Sequence, residues 1–382
     1  MICAIDRGEL DFSKKLLAEC QYRRNSQSTI FASTFHKNHL VACTSDGSLL
    51  IWDIQKKPNC SRSETYCKKQ RIQNDESAYE VKVCNGSLYD VQIVSSANCN
   101  LIVTCGVEGI FIYKSFLDEL IEGTLTSTPK CMSKLSPYPD ILASKLRSEV
   151  NRISYDDALG HLFAAGGDGI CYIWDLSKEK LAGSLCKKSN GNGKVKSMNV
   201  VKVLGASCEA CNHGVLTGDD ELIMWDGKSQ ELIETIELKD NKKGSLTNWI
   251  SSIDVDESKR WAVIGGGVKE NKRSQTTENG FVQLLNLQSR SVTSYKETKE
   301  VINDVAYHSS SNKILSVGND KVISMWNPLD LSSGCTERSL LSSPASYSIT
   351  INPVNSMIVT GNVSGSLDCF SQFFTRTNTL HR

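Results

Sequence analysis

One short pattern recurs seven times along this chain of 382 residues. Each copy has a few apolar residues, a turn with Gly or Asp, an alternating strand, and an aromatic residue followed by a polar one. The residues in the aromatic slot are Trp52, Tyr113, Trp174, Trp225, Leu285, Trp326 and Phe370. A repeat of this length is a supersecondary unit that cannot bury its own faces, so the units must stack on one another.

Each copy is preceded by a further strand candidate in which apolar and polar residues roughly alternate. Leu88–Val94 and Ile302–His308 are two clear cases. Adding an outer strand to each copy gives units of four short antiparallel strands, which are typical of propeller blades. The sequence therefore predicts an all-β fold, a seven-bladed WD-repeat β-propeller over residues 26–382.

The composition excludes several other classes of protein. The 43 basic and 43 acidic residues cancel, so no overall field attracts nucleic acid. The 15 Cys lack the paired spacing of a disulfide framework. We find no apolar run of membrane-spanning length and no signal-peptide pattern, and we expect no membrane association.

Four segments do not fit the repeat. Met1–Asn25 has the apolar spacing of a short amphipathic helix, which we expect to pack on the ring. Gln55–Ser87 is polar and is predicted to be a partly flexible insertion. Lys114–Glu149 is an insertion with a helix and a Pro-containing segment around Tyr138, which must lie over the surface. Val268–Asn279 is a loop insertion in the fifth repeat.

No residue pattern in the sequence indicates a catalytic, metal or cofactor site. None of the six His has the spacing of a metal ligand, and the pair Cys208 and Cys211 lacks the second pair of a zinc site. We interpret Gly265–Gly267 as allowing a bulge or a close backbone approach, because the run opens into a polar loop and not a helix. We therefore predict no enzyme activity, no catalytic residue, no cofactor, no metal and no small-molecule substrate.

Aspartates recur in the turn before the third strand of four repeats. They are Asp46, Asp168, Asp220 and Asp320. Because the same residue type occupies the same turn position each time, we expect these carboxylates to accept local backbone N–H groups.

A candidate partner surface follows from the topology. The first strand of every blade starts at the same end of the ring, so residues at those starts are expected to surround one mouth of the channel. An aromatic and amide rim suits a helical or extended peptide, although such side chains can also merely close the channel. The candidate partner-binding residues are Tyr89, Tyr138, Asn151, Trp249, Asn303 and Tyr347.

Several stretches carry a closer resemblance. They are Ser136–Ile141, His161–Leu181, Asn248–Gly267 and Asp368–Phe373. Together they resemble the family of the sixth subunit of the THO complex. The resemblance implies a non-catalytic scaffold in the nucleus, within the THO/TREX assembly that couples transcription to mRNA processing and export. It also implies binding to the coiled-coil subunits of that complex, with RNA contacted only indirectly.

The alternative function is that of a substrate receptor in a ubiquitin ligase. Many propellers are substrate receptors of cullin-RING ubiquitin ligases, and such receptors commonly carry Trp-Asp-any-Arg at the end of the third strand. In this chain the corresponding fourth residues are Gln55, Ser177 and Lys228. Lys does not replace the guanidinium fork of Arg, so the pattern favours the scaffold.

Overall fold

The computed structural model describes nine stretches of the chain. They are residues 28–54, 78–95, 100–136, 149–187, 197–206, 213–238, 246–270, 279–371 and 374–381. Within them, the strands form seven antiparallel sheets of four, and the strands of each sheet are neighbours in chain order. This arrangement confirms the predicted seven-bladed propeller. The predicted helix of Met1–Asn25 and the side chain of Tyr138 lie outside the described residues.

In the described residues, the first four blades contain sixteen strands and one helix. Blade 1 is β1 (Ile30–His36), β2 (His39–Thr44), β3 (Ser48–Asp53) and β4 (Tyr79–Lys82). Blade 2 is β5 (Leu88–Ser95), β6 (Asn100–Gly106), β7 (Gly109–Lys114) and β8 (Ser133–Leu135), with α1 (Leu117–Glu122) between its last two strands. Blade 3 is β9 (Val150–Asp156), β10 (His161–Gly166), β11 (Cys171–Asp175) and β12 (Lys180–Leu185). Blade 4 is β13 (Val200–Gly205), β14 (Gly214–Gly218), β15 (Leu222–Asp226) and β16 (Leu232–Ile236).

The last three blades repeat the same order. Blade 5 is β17 (Leu246–Val255), β18 (Trp261–Glu270), β19 (Asn279–Asn286) and β20 (Ser291–Thr298). Blade 6 is β21 (Ile302–His308), β22 (Lys313–Gly318), β23 (Val322–Trp326) and β24 (Cys335–Leu340), with a 3-10 turn at Ser309–Ser311. Blade 7 is β25 (Ser346–Ile351), β26 (Ile358–Asn362), β27 (Leu367–Phe370) and β28 (Arg376–Leu380).

Two segments that interrupt the sequence repeat contain outer strands of blades. β4 lies within Gln55–Ser87, and β8 lies within Lys114–Glu149. Each strand buries a single side chain, Val81 in β4 and Leu135 in β8. One buried residue is too little alternation for a strand to be recognised from sequence.

The hydrophobic core consists of seven clusters, each shared by two neighbouring blades. All seven residues of the aromatic slot are buried within them. The stacking of incomplete units that the repeat predicts is thus the source of the core.

The indole N–H of the aromatic slot has a partner in some blades and lacks one in others. Trp225 Nε1 donates to Thr217 Oγ1 on the neighbouring strand at 2.8 Å. Ala164 stands at the corresponding place in blade 3, as the strand register shows. The buried Trp174 Nε1 accordingly has no hydrogen-bond partner among the described residues. A buried donor without a partner lowers stability.

Among the described residues, every four-stranded sheet is formed by strands consecutive in the chain, so blades 1 and 7 exchange no strand there. Side chains join blade 1 to blade 7 instead. Thr350 Oγ1 donates to the Ser33 carbonyl at 2.6 Å, and Trp52 Nε1 donates to the His381 carbonyl at 3.3 Å. A cluster that includes Ile30 and Leu380 packs between them.

The interpretation of the glycine run is confirmed. Gly265–Gly267 lies within β18, opposite β17. A Cβ atom on Gly266 would lie 2.0 Å from the Trp249 carbonyl oxygen, and one on Gly267 would lie 2.3 Å from Trp249 Nε1. At Gly266 the nearest atom belongs to the backbone, so only glycine allows this approach.

The turn aspartates behave as predicted in part. Asp168 Oδ1 accepts the backbone N–H of Ile170 at 3.2 Å, which agrees with the expectation. Asp46 Oδ1 accepts the hydroxyl of Thr44. The hydroxyl reaches the carboxylate because Thr44 ends the strand that enters the turn.

Candidate partner-binding face

The first strands of all seven blades begin on one face of the ring, which we call the mouth face. In six blades, pairing with the second strand passes over one residue near this start, which is a β-bulge. Asn199 occupies the corresponding place in blade 4, where its backbone N–H donates to the Gly218 carbonyl at 3.0 Å. The seven mouth positions are Phe31, Tyr89, Asn151, Asn199, Ser251, Asn303 and Tyr347. All of them are partly buried.

Four consecutive mouth positions, in blades 3 to 6, carry polar side chains, and we call them the polar arc. Each donates a hydrogen bond to the carbonyl of the residue that precedes the mouth position of the next blade. The bonds are Asn151 to Met198 (2.8 Å), Asn199 to Ile250 (3.3 Å), Ser251 to Ile302 (2.6 Å) and Asn303 to Ser346 (2.9 Å). These side chains therefore tie neighbouring blades together.

The other three mouth positions, in blades 7, 1 and 2, carry aromatic rings, and we call them the aromatic arc. The Phe31 ring lies between the other two, with centroids 5.6 Å from Tyr89 and 5.4 Å from Tyr347. Both pairs are edge-to-face, at 74° and 67°. This geometry is favourable for aromatic rings. The arc covers the junction at which the ring closes.

Trp249 lies outside this series. It precedes the mouth position Ser251 by two residues, on a strand that starts at Leu246. Because β17 begins four residues earlier relative to its mouth position than β21 does, the open end of the β17–β18 hairpin extends past the starts of the other first strands by about 13 Å. The Trp249 indole packs against Gly267, and its Nε1 is shielded from solvent without a partner among the described residues.

Charged side chains line the channel below the mouth. A cavity of about 320 Å³ is bounded by first-strand residues of all seven blades. The Arg152 guanidinium lies 3.6 Å from Asp304 Oδ1 and 4.0 Å from Asp90 Oδ1, so it links blades 2, 3 and 6. Lys202 Nζ lies 2.7 Å from Asp254 Oδ1.

Two of the channel carboxyl groups are perturbed by their surroundings. Burial raises the pKa of Asp90 and of Asp304, and the Arg152 charge opposes that rise in both. Their oxygens also accept backbone N–H groups of the next blade, Ile153 at 3.0 Å for Asp90 and Ile349 at 2.7 Å for Asp304. The channel charges therefore join blades, as the polar arc does.

The structure separates the residues singled out in the sequence. It places Tyr89, Asn151, Asn303 and Tyr347 at equivalent mouth positions, and Trp249 on the projecting hairpin beside them. The amide N–H groups of Asn151 and Asn303 serve neighbouring blades and not an incoming peptide, because the bulge aims them at the next first strand.

Sequence reasoning missed Phe31, the central ring of the aromatic arc. Aligning the first strands would have found it, since Phe31 follows a buried Ile as Tyr89 follows a buried Leu.

Comparisons with known proteins bear on this ring. A family model described as WD domain, G-beta repeat matches residues 289–327, from blade 5's outer strand to the end of blade 6's third strand. THO complex subunit 6 of Arabidopsis thaliana is 23% identical over 351 residues, which cover 87% of this chain and 84% of the relative. The chain is a WD-repeat β-propeller similar to THO complex subunit 6. The similarity spans nearly the whole propeller and not a single blade.

Metal clusters and membrane-spanning helices are absent from the described stretches. They contain no group of three His, Cys, Asp or Glu side chains that could hold a metal ion. No helix within them has the length and apolar character needed to cross a membrane. The pair Cys208 and Cys211 lies outside the described residues.

Proposed function

We propose that this propeller is a non-catalytic scaffold subunit of a THO-type nuclear assembly that couples transcription to mRNA processing and export. The observation that carries the proposal is the 87% coverage of the chain by its similarity to THO complex subunit 6. A seven-bladed ring offers a rigid surface for several partners at once.

The aromatic arc is the proposed partner surface. Phe31, Tyr89 and Tyr347 present ring surface at the mouth, and aromatic side chains are favoured anchors of protein interfaces. Trp249 on the projecting hairpin lies beside the mouth. A helix or extended segment from the coiled-coil subunits is the occupant. The zero net charge leaves RNA to other subunits.

Purification of a tagged full-length chain from nuclear extract at moderate salt, followed by identification of the co-purifying proteins, tests the assembly. THO subunits in comparable amounts are expected. Recovery of a cullin and its adaptor without THO subunits would support the ubiquitin-ligase alternative and overturn the scaffold proposal.

A further inference from the structure

A groove on the face opposite the mouth lies between blades 5 and 6. It encloses about 590 Å³, which is within the roughly 300–1,000 Å³ typical of ligand pockets. Its aromatic lining comes from three strands, with Trp261 from β18, Tyr295 from β20 and Tyr307 from β21. The connection that follows β23 closes one side with Pro328 and Leu329.

Neighbouring residues hold the three aromatic residues, Trp261 through its backbone and the two tyrosines through their side chains. Asp256 Oδ1 accepts the backbone N–H of Trp261 at 2.8 Å. The Tyr307 hydroxyl donates to Asn312 Oδ1. Tyr295 stacks on Phe281 with centroids 6.5 Å apart. Ring surfaces positioned in advance bind a ligand at a lower entropic cost.

The charge of the groove is negative. Asp330 is the one charged residue among the described residues that line it. The Ser332 hydroxyl and the Ser333 backbone N–H bond to Asp330 and hold the pKa of its carboxyl below the usual value, so the group stays ionised. Burial raises the pKa of the Tyr307 hydroxyl, and the negative charge of the nearby Asp256 raises it further.

We propose that this groove binds the cationic side chain of a lysine or arginine, methylated lysine included, presented by an extended segment of a partner protein. Aromatic faces attract cations through their quadrupoles, with Trp the strongest, and Asp330 adds a full charge. Leu329, which is 85% exposed, and Pro328 supply apolar surface for the aliphatic stem.

An internal ammonium already uses the rim of the groove. Lys296 Nζ reaches across from blade 5 and donates to the Ser332 carbonyl at 2.8 Å. The rim thus attracts cations, and Lys296 competes with an incoming one. Because the groove lies on the face opposite the aromatic arc, this site is independent of the proposed function.

Titration of the full-length protein with three small probes tests the site. The probes are Nα-acetyl-lysine methylamide, its Nε-trimethyl form and the uncharged norleucine analogue. The indole N–H signal of Trp261, assigned with Trp261→Phe, reports occupancy by NMR. Both cations are expected to shift it and to bind roughly fivefold or more tightly than the norleucine analogue.

Three variants sharpen the test. Asp330→Asn should weaken lysine binding at least threefold, whereas Asp226→Asn should not. Asp226 is a matched control, because it accepts the turn N–H groups of Lys228 and Ser229 but does not line the groove. Lys296→Met should strengthen binding about twofold or more. The site is overturned if the Trp261 signal does not move, if norleucine binds as well as lysine, or if Asp330→Asn and Asp226→Asn behave alike.

Discussion

The polar arc and the aromatic arc occupy the same backbone position in different blades, yet they do different things. In blades 3 to 6, Asn or Ser at the mouth position donates to the next blade at 2.6–3.3 Å. In blades 7, 1 and 2, an aromatic ring at the bulge meets other rings at 5.4–5.6 Å. The same position on the first strand therefore gives either a link between blades or a surface for a partner.

The difference lies in where the hydrogen-bonding capacity is used. A polar side chain that has satisfied the neighbouring blade has less left for a partner, whereas a ring keeps a face or an edge that can be covered by one. The aromatic arc also spans the closure between blades 7 and 1. A partner bound there would contact both ends of the propeller.

The largest expected effect comes from Arg152, whose side chain links blade 2 of the aromatic arc to blades 3 and 6 of the polar arc. Arg152→Met leaves the buried carboxylates Asp90 and Asp304 without their cation, so the free energy of unfolding at pH 7 should fall by about 3 kcal/mol. Denaturant unfolding measures it. Lys202→Met is the control and should cost less, because Asp254 is more exposed to the channel.

The effect of Arg152→Met should depend on pH. Burial raises the carboxyl pKa of Asp90 and Asp304, and removal of the Arg152 charge raises it further. A carboxyl group with a raised pKa in the folded state stabilises the fold below its unfolded pKa and loses that contribution as pH rises. The gap in free energy of unfolding between Arg152→Met and the wild type should therefore narrow as pH falls from 7 toward 4. A constant gap would show that the loss is one of packing alone.

An intermediate effect tests the polar arc. Asn151→Ala and Asn303→Ala each remove a hydrogen bond to the next blade and leave its carbonyl without that donor, so each should lower the free energy of unfolding by about 1 kcal/mol. The two residues lie in blades 3 and 6, and their effects should add in the double variant. If the denaturant midpoint of these variants equals that of the wild type, the polar arc does not stabilise the ring.

The smallest expected effect comes from a comparison of two tryptophans, Trp174 in blade 3 and Trp52 in blade 1. Ala164→Ser offers an acceptor to the unpartnered Trp174 Nε1 and should raise the free energy of unfolding by up to about 1 kcal/mol. Ala42→Ser is the matched control and should bring no gain, since Trp52 Nε1 already donates to His381. Equal shifts in the melting temperature would contradict this reading.

The sequence predicts the number of blades and their core because the aromatic slot and the alternation repeat within each unit. It does not predict β4 and β8, whose single buried residues give no periodicity. The sequence also does not predict that the polar arc links neighbouring blades whereas the aromatic arc forms a surface. Asn303 and its acceptor Ser346 are 43 residues apart and meet only when two blades pack together. The sequence shows residue types at strand starts, but the use of their donors depends on that packing.

Capture of the THO coiled-coil subunits by two double variants tests the central claim most directly. Tyr89→Ala with Tyr347→Ala removes two rings of the aromatic arc, and Asn151→Ala with Asn303→Ala removes two links of the polar arc. Both are assayed below their measured unfolding temperatures. The aromatic variant should lose capture about 30-fold, which corresponds to roughly 2 kcal/mol at an interface anchor. The polar variant should capture within threefold of wild type, although it is less stable. Wild-type capture by the folded aromatic variant would contradict the claim and place the interface elsewhere on the ring.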